Sequence, residues 1–219
     1  MMIKNNTNPI RIIPFLDIKN GLLIKGINLE GLRVLGKASD FSNHYYQNGA
    51  DEICYIDNVA TLYGTNNLGK FITQTAKKLY IPLNVGGGIR SLKDIEAALK
   101  CGADKVSINT ALVQNVKFAK EASRIFGSST ISATIEINKY NGKYYVMSSH
   151  GRDFTKKNPL EWAKKLEGHG IGEIIISSIH KDGLESGFDI DITKKISKVV
   201  KVPTLAHGGC GKIKHIIDV

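Results

Sequence analysis

Along the chain, short runs of β-branched and aliphatic residues alternate with longer stretches whose apolar positions recur every three or four residues. The short runs are "RIIPFLDI" (11–18), "EICYID" (52–57), "IPLNV" (81–85), "DKVSIN" (104–109), "TISATIEI" (130–137), "EIIISS" (173–178) and "VPTLAH" (202–207). Each has the length and composition of a buried strand. Between them lie helical patterns such as "SLKDIEAALKCG" and "NPLEWAKKLEGHG". In these a polar residue stands at the capping position and a glycine closes the stretch. Strands alternating with helices predict parallel βαβ units and an α/β fold.

The pattern repeats. Gly49 answers Gly170, Glu52 answers Glu173 and Gly87 answers Gly208 at one constant offset, with Asp17 and Glu136 only two residues out of step. "GADEICYID" is thus echoed by "GIGEIIISS", and the glycine clusters of "GGGIRS" and "HGGCGK" fall in register. Four matches in one order predict a duplicated unit: a (β/α)8 TIM barrel of two half-barrels, forming a single domain over 1–219. The chain stops as the seventh helix begins, so a further βα unit of roughly 30 residues is expected beyond it.

Barrels of this kind carry their chemistry at the C-terminal ends of the strands. Asp17 and Glu136 stand there, at equivalent points of the two halves, each ending an apolar strand where a charge is costly to desolvate. Opposed carboxylates suit paired acid and base work. The glycine turns 86–88, 182–183 and 208–209, with "SINTA" around Asn109, offer backbone amides to anions. One such device in each half predicts a ligand with a phosphate at both ends. At the opposite strand ends stand Arg11, Glu52, Lys105 and Glu173. The even spacing from Arg11 to Asp17, from Lys105 to Asn109 and from Glu173 to Ser177 puts each pair on one strand face. Two cations and two anions are expected to close the barrel floor.

Composition narrows the partners. Formal net charge is +10, from 30 Lys and Arg against 20 Asp and Glu. The lysines are spread over helical stretches without interleaved aromatics, which argues against a nucleic-acid surface. A positive field can also steer a phosphorylated substrate. The three cysteines are too scattered for a disulfide framework or a metal cluster. No apolar run approaches the ~20 residues that span a bilayer, and the polar N-terminus does not read as a signal peptide. A cytoplasmic enzyme without metal or cofactor is expected.

"IIPFLDIKNGLLIKG", "VGGGIRS", "ADKVSINTA", "GEIIISSIHKDG" and "GFD" together resemble the cyclase subunit of imidazole glycerol phosphate synthase, from histidine biosynthesis, over Arg11 to Val219. Such cyclases are similar duplicated barrels. They take ammonia from a partner glutaminase, with which they form a heterodimer. With it they convert a bis-phosphorylated formimino-ribulosyl carboxamide nucleotide to imidazole glycerol phosphate and an aminoimidazole carboxamide nucleotide. The resemblance implies Asp17 and Glu136 as the catalytic pair, with Lys25 and Asn28 in the first loop. It implies Gly87, Gly88, Asn109 and Thr110 around one phosphate. Ser177, Asp182, Gly183, Gly208 and Gly209 fall near the other. Arg11, Glu52, Lys105 and Glu173 resemble the gate through which ammonia enters.

The sequence departs from the family pattern at several points. Glu136 stands where aspartate is usual, His207 replaces a small hydroxyl residue, and His150 and His180 are also unusual. Two other readings follow: a related amidotransferase-coupled subunit in surface-polysaccharide amidino-sugar synthesis, or a non-catalytic scaffold for the glutaminase.

Overall fold

In the computed structural model, residues 10–58 and 69–219 are described. The eleven strands among them belong to one sheet. They are β1 (Phe15–Lys19), β2 (Leu22–Ile27), β3 (Glu30–Lys37), β4 (Ile53–Asp57), β5 (Leu83–Gly86), β6 (Lys105–Ile108), β7 (Ile131–Tyr140), β8 (Lys143–Ser148), β9 (Asp153–Phe154), β10 (Glu173–Ser178) and β11 (Thr204–His207). Strands β1, β4, β5, β6, β7, β10 and β11 run parallel in that spatial order. They match the seven runs read from the apolar pattern. In the first run, however, sheet pairing starts only at Phe15.

The sheet is curled. Between β4 and β10 lie three strands, so in a flat sheet they would stand roughly 19 Å apart at ~4.8 Å per strand. Yet Arg11 hydrogen-bonds Glu52, just before β4, and Glu173 on β10. Only a barrel brings those ends together. Between β1 and β11 the described residues leave a seam with no strand pairing. Across it the rings of Phe15 and His207 stack with centroids 3.9 Å apart.

Alternation along the strands separates two layers. Leu16, Ile18, Ile53, Tyr55, Leu83, Val85, Val106 and Ile108 are buried in the apolar core. Tyr55 faces the helices, since its hydroxyl meets Ser42 and Thr75. Those two residues lie on α1 (Ala38–Gln47) and α2 (Gly69–Ala76). The intervening positions Glu52, Cys54, Asn84 and Asp17 therefore face the barrel interior. The two expected helices are present. In α3 (Leu92–Lys100) Ser91 and Asp94 form a reciprocal capping box. In α4 (Pro159–Gly168) Asn158 caps the first turn and proline takes the first helical position.

Two antiparallel ribbons were not foreseen by the apolar pattern. β2 and β3 extend from β1, and β8 and β9 extend from β7. They occupy equivalent places in the two halves, directly after the strands bearing Asp17 and Glu136. No helix among the described residues is long and apolar enough to cross a membrane.

Candidate active site

At the C-terminal end of the barrel, Asp17 and Glu136 line one cavity of about 390 Å³. Its wall also includes Gly87, Gly88, Asn109, Thr110 and Ser177. Lys25, Asp182, Gly183, Gly208 and Gly209 line a second, wider cavity of about 1240 Å³ along the seam. Phe15 and His207 line both, so the stacked rings stand between them. The expected residues thus converge on one end of the barrel, in two compartments.

The carboxylates differ in their surroundings. Asp17 is 4% exposed and accepts a hydrogen bond from Lys25 Nζ at 3.0 Å. The same ammonium donates to Asp182 at 2.8 Å. Burial alone would pull the Lys25 pKa down, but the two carboxylates more than reverse this and raise it. Lys25 is thereby held charged between two buried acids. Asp182, expected near a phosphate, turns its carboxylate to Lys25. Its loop is tied down in turn, because the Asn28 amide donates to the Asp182 carbonyl at 2.9 Å. Asn28 thus joins the β2 turn to the Asp182 loop through its backbone, and it lines neither cavity.

Glu136 has no ion-pair partner among the described residues. Its Oε2 accepts from the Gly151 amide at 2.8 Å. Loss of water is the main cause that pushes its pKa up to about 7, against the hydrogen bonds from Gly151 and Asn109 and with a further push from the Asp17 charge. A carboxyl so placed exchanges a proton readily near neutral pH.

The glycines are required by close approach. A Cβ on Gly87 would meet the Asp57 carbonyl at 2.2 Å, and one on Gly183 the Gly26 carbonyl at 2.4 Å. Both have positive φ, where side chains are disfavoured. Gly208 and Gly209 are similarly crowded by Ser178 and Gly187. Thr110 Oγ1 accepts from the Ser149 amide at 3.0 Å, and Asn109 Oδ1 is buried without a hydrogen-bond partner. Ser177 Oγ lies 3.1 Å from His207 Nδ1. Burial first, and then the Lys25 charge, lower the His207 pKa, so this imidazole is neutral at neutral pH.

Sequence reasoning passed over Arg90 and Gln114, which also line the first cavity, as does His150, noted in the sequence only as a departure from the family pattern. Arg90 lay inside the "GGGIRS" motif and was the signal available. Nothing in the apolar pattern pointed to His150, which arrives on the turn between β8 and β9.

At the N-terminal end the four expected charges form one cluster. Arg11 meets Glu52 at 3.0 Å and also Glu173. Lys105 meets Glu52 at 2.8 Å and Glu173 at 3.4 Å. Ser132 donates to Glu173, and Asn84 donates to Ser132. The floor is closed by mutual pairing, as the strand parity predicted.

Residues 11–219 match the model of the histidine biosynthesis protein family. An imidazole glycerol phosphate synthase subunit HisF from Legionella pneumophila is 45% identical over 206 residues, covering 94% of this chain and 97% of that one. The HisF subunit of Sulfurisphaera tokodaii is 43% identical over 95% of this chain and 84% of its own length. The HisF subunit of Bacillus cereus is 44% identical over 95% of this chain and 83% of its own. With its curled parallel sheet and paired carboxylates, this chain belongs to the histidine biosynthesis protein family, alongside the HisF subunits of imidazole glycerol phosphate synthase.

Proposed function

We propose that this chain is the cyclase subunit of an imidazole glycerol phosphate synthase, a lyase of histidine biosynthesis that uses ammonia supplied by a glutaminase partner. One observation carries the reading: the carboxyl groups of Asp17 and Glu136 line one cavity with the Gly87–Gly88 turn, and the Gly208–Gly209 turn lines the cavity beside it. Ring closure and fragmentation of a bis-phosphorylated nucleotide need one group to release a proton and another to accept one. Glu136, raised to about 7, is the donor. Asp17, paired with the Lys25 ammonium, is the acceptor. Gly87, Gly88, Asn109 and Thr110 hold one phosphate, with Arg90 beside them. Lys25, Gly183, Gly208 and Gly209 serve the other, and Asp182 acts by holding Lys25 in place.

The floor cluster is the entry for ammonia. The seam cavity is lined by Arg11 and Glu52 at one end and by Lys25 and Asp182 at the other. Ammonia that passed through bulk water at neutral pH would be captured as ammonium. Delivery from a docked glutaminase avoids that loss.

The test is turnover of the bis-phosphorylated nucleotide by the purified protein near neutral pH, with ammonium salt added at a concentration high enough to supply free ammonia. Formation of both products supports the reading. Binding of the partner glutaminase without any ammonia-dependent turnover would favour the scaffold instead. For the gate, Lys105→Ala is expected to cut glutamine-driven turnover about tenfold or more while sparing turnover with ammonium salt. Equal losses with both nitrogen sources would reduce the four charges to a structural cluster.

A further inference from the structure

The turn joining β8 to β9 is built at a conformational cost. Ser149 and His150 both have positive φ, at 54° and 58°, and Gly151 follows at 78°. Only the glycine adopts that region without penalty. Such strain persists where the surroundings enforce it, and it gathers at functional sites. Here the surroundings are visible. The Ser149 amide is fixed on Thr110 and the Gly151 amide on Glu136. The turn is clasped at both ends to residues of the candidate site, and His150 is the residue between the clasps.

His150 lines the first cavity, and its Nε2 is enclosed with no hydrogen-bond partner among the described residues. Asn109 Oδ1 lines the same cavity and is equally buried and unpartnered. Buried polar atoms in native structures are normally paired with protein, water or ligand, so both atoms are open to a group that enters the cavity. A group that bridges them must suit both atoms. Burial is the main cause that lowers the His150 pKa; the Asp17 and Asp182 charges oppose it, and those of Arg152 and Lys25 assist it. The imidazole is therefore neutral at neutral pH and can donate through Nε2–H. Asn109 Oδ1 only accepts. A hydroxyl group can accept from the first and donate to the second. A phosphate oxygen cannot do both.

We propose that His150 is a further substrate-contacting residue, its Nε2 donating to a hydroxyl of the sugar chain beside the first anion site, with Asn109 Oδ1 accepting from that hydroxyl. This rests on the reading of the ligand as a phosphorylated sugar derivative. It goes beyond the paired carboxylates and the glycine amides, which recognise charge and not the sugar.

The experiment measures binding without ammonia, so that no chemistry intervenes. Wild-type protein, His150→Gly and His150→Asn are titrated with the bis-phosphorylated nucleotide, with ribose 5-phosphate and with inorganic phosphate. Glycine keeps the positive φ and deletes the imidazole, and asparagine tolerates that backbone and restores a side-chain donor. His150→Gly is expected to weaken both sugar phosphates about tenfold and to leave inorganic phosphate unchanged, with partial recovery in His150→Asn. Thermal stability of His150→Gly should equal or exceed that of wild type, because strain and an orphan nitrogen are both removed. Unchanged affinity for both sugar phosphates, or equal weakening of inorganic phosphate, would overturn the proposal. If wild type binds ribose 5-phosphate but not the nucleotide, the cyclase reading fails, and His150 is judged on ribose 5-phosphate. If it binds neither, both fall.

Discussion

The two half-barrels place a carboxylate at the same structural point and treat it in opposite ways. In the first half, β1 leads into a ribbon that returns Lys25 to Asp17 at 3.0 Å. In the second half, β7 leads into the equivalent ribbon, but its turn returns only a backbone amide, from Gly151, to Glu136 at 2.8 Å. The partner of Asp17 carries a full charge, whereas that of Glu136 is a neutral amide. The neutral donors Gly151 and Asn109 do not offset desolvation, and the Glu136 pKa rises to about 7. One duplicated scaffold therefore gives its two carboxyl groups different partners, and the difference lies in what each ribbon brings back.

The comparison breaks first at Lys25. Lys25→Met leaves Asp17 and Asp182, 4% and 3% exposed, without their shared cation. The Lys25 side chain is 35% exposed, so urea denaturation at neutral pH should show a loss of about 1–2 kcal/mol, below that of a fully buried pair. A loss below about 0.5 kcal/mol, the range of ordinary surface changes, would mean that the first half does not depend on its cation.

Next come the carboxyl groups. Asp17→Asn and Glu136→Gln should each lower turnover at least ~10²-fold with little change in substrate affinity. Near-normal turnover in either variant removes that residue from the chemistry. The pH profile then separates the roles. With Glu136 as the proton donor, turnover should fall as pH rises through about 7, and a profile rising through that range would exchange the two assignments.

The smallest effect concerns stability. Folded Glu136 keeps its proton up to about 7, whereas the unfolded group loses it near its ordinary value of 4.5. Its contribution is fully present below 4.5 and is lost as pH rises to about 7. Glu136→Gln, which cannot ionise, should therefore gain thermal stability relative to wild type between pH 5 and 8. A constant difference across that range would show that Glu136 titrates normally.

The parts of the fold that obey local periodicity were legible in the sequence. Seven parallel strands, the capped helices and the duplicated order all follow from short apolar runs and glycine spacing. The floor cluster was legible too, because strand parity fixes which side chains share the interior. The ribbons were not. "LLIKGINLEGLRVLGK" is mixed in polarity, and β3 is exposed along nearly its whole length, so no buried face disciplines its pattern. What the ribbons carry was hidden with them. The link from Lys25 to Asp182 joins residues 157 apart in sequence, and the one from Glu136 to Gly151 depends on a turn at positive φ. The candidate residues could be named from motifs, but the partners each would meet could not.

The floor cluster also sets an order of events during synthesis. Arg11 and Glu173 are separated by 162 residues. At roughly 5–20 residues per second, Glu173 leaves the ribosome on the order of 10–30 s after Arg11. Pairing of the four charges therefore cannot be complete before the strand that carries Glu173 has been made.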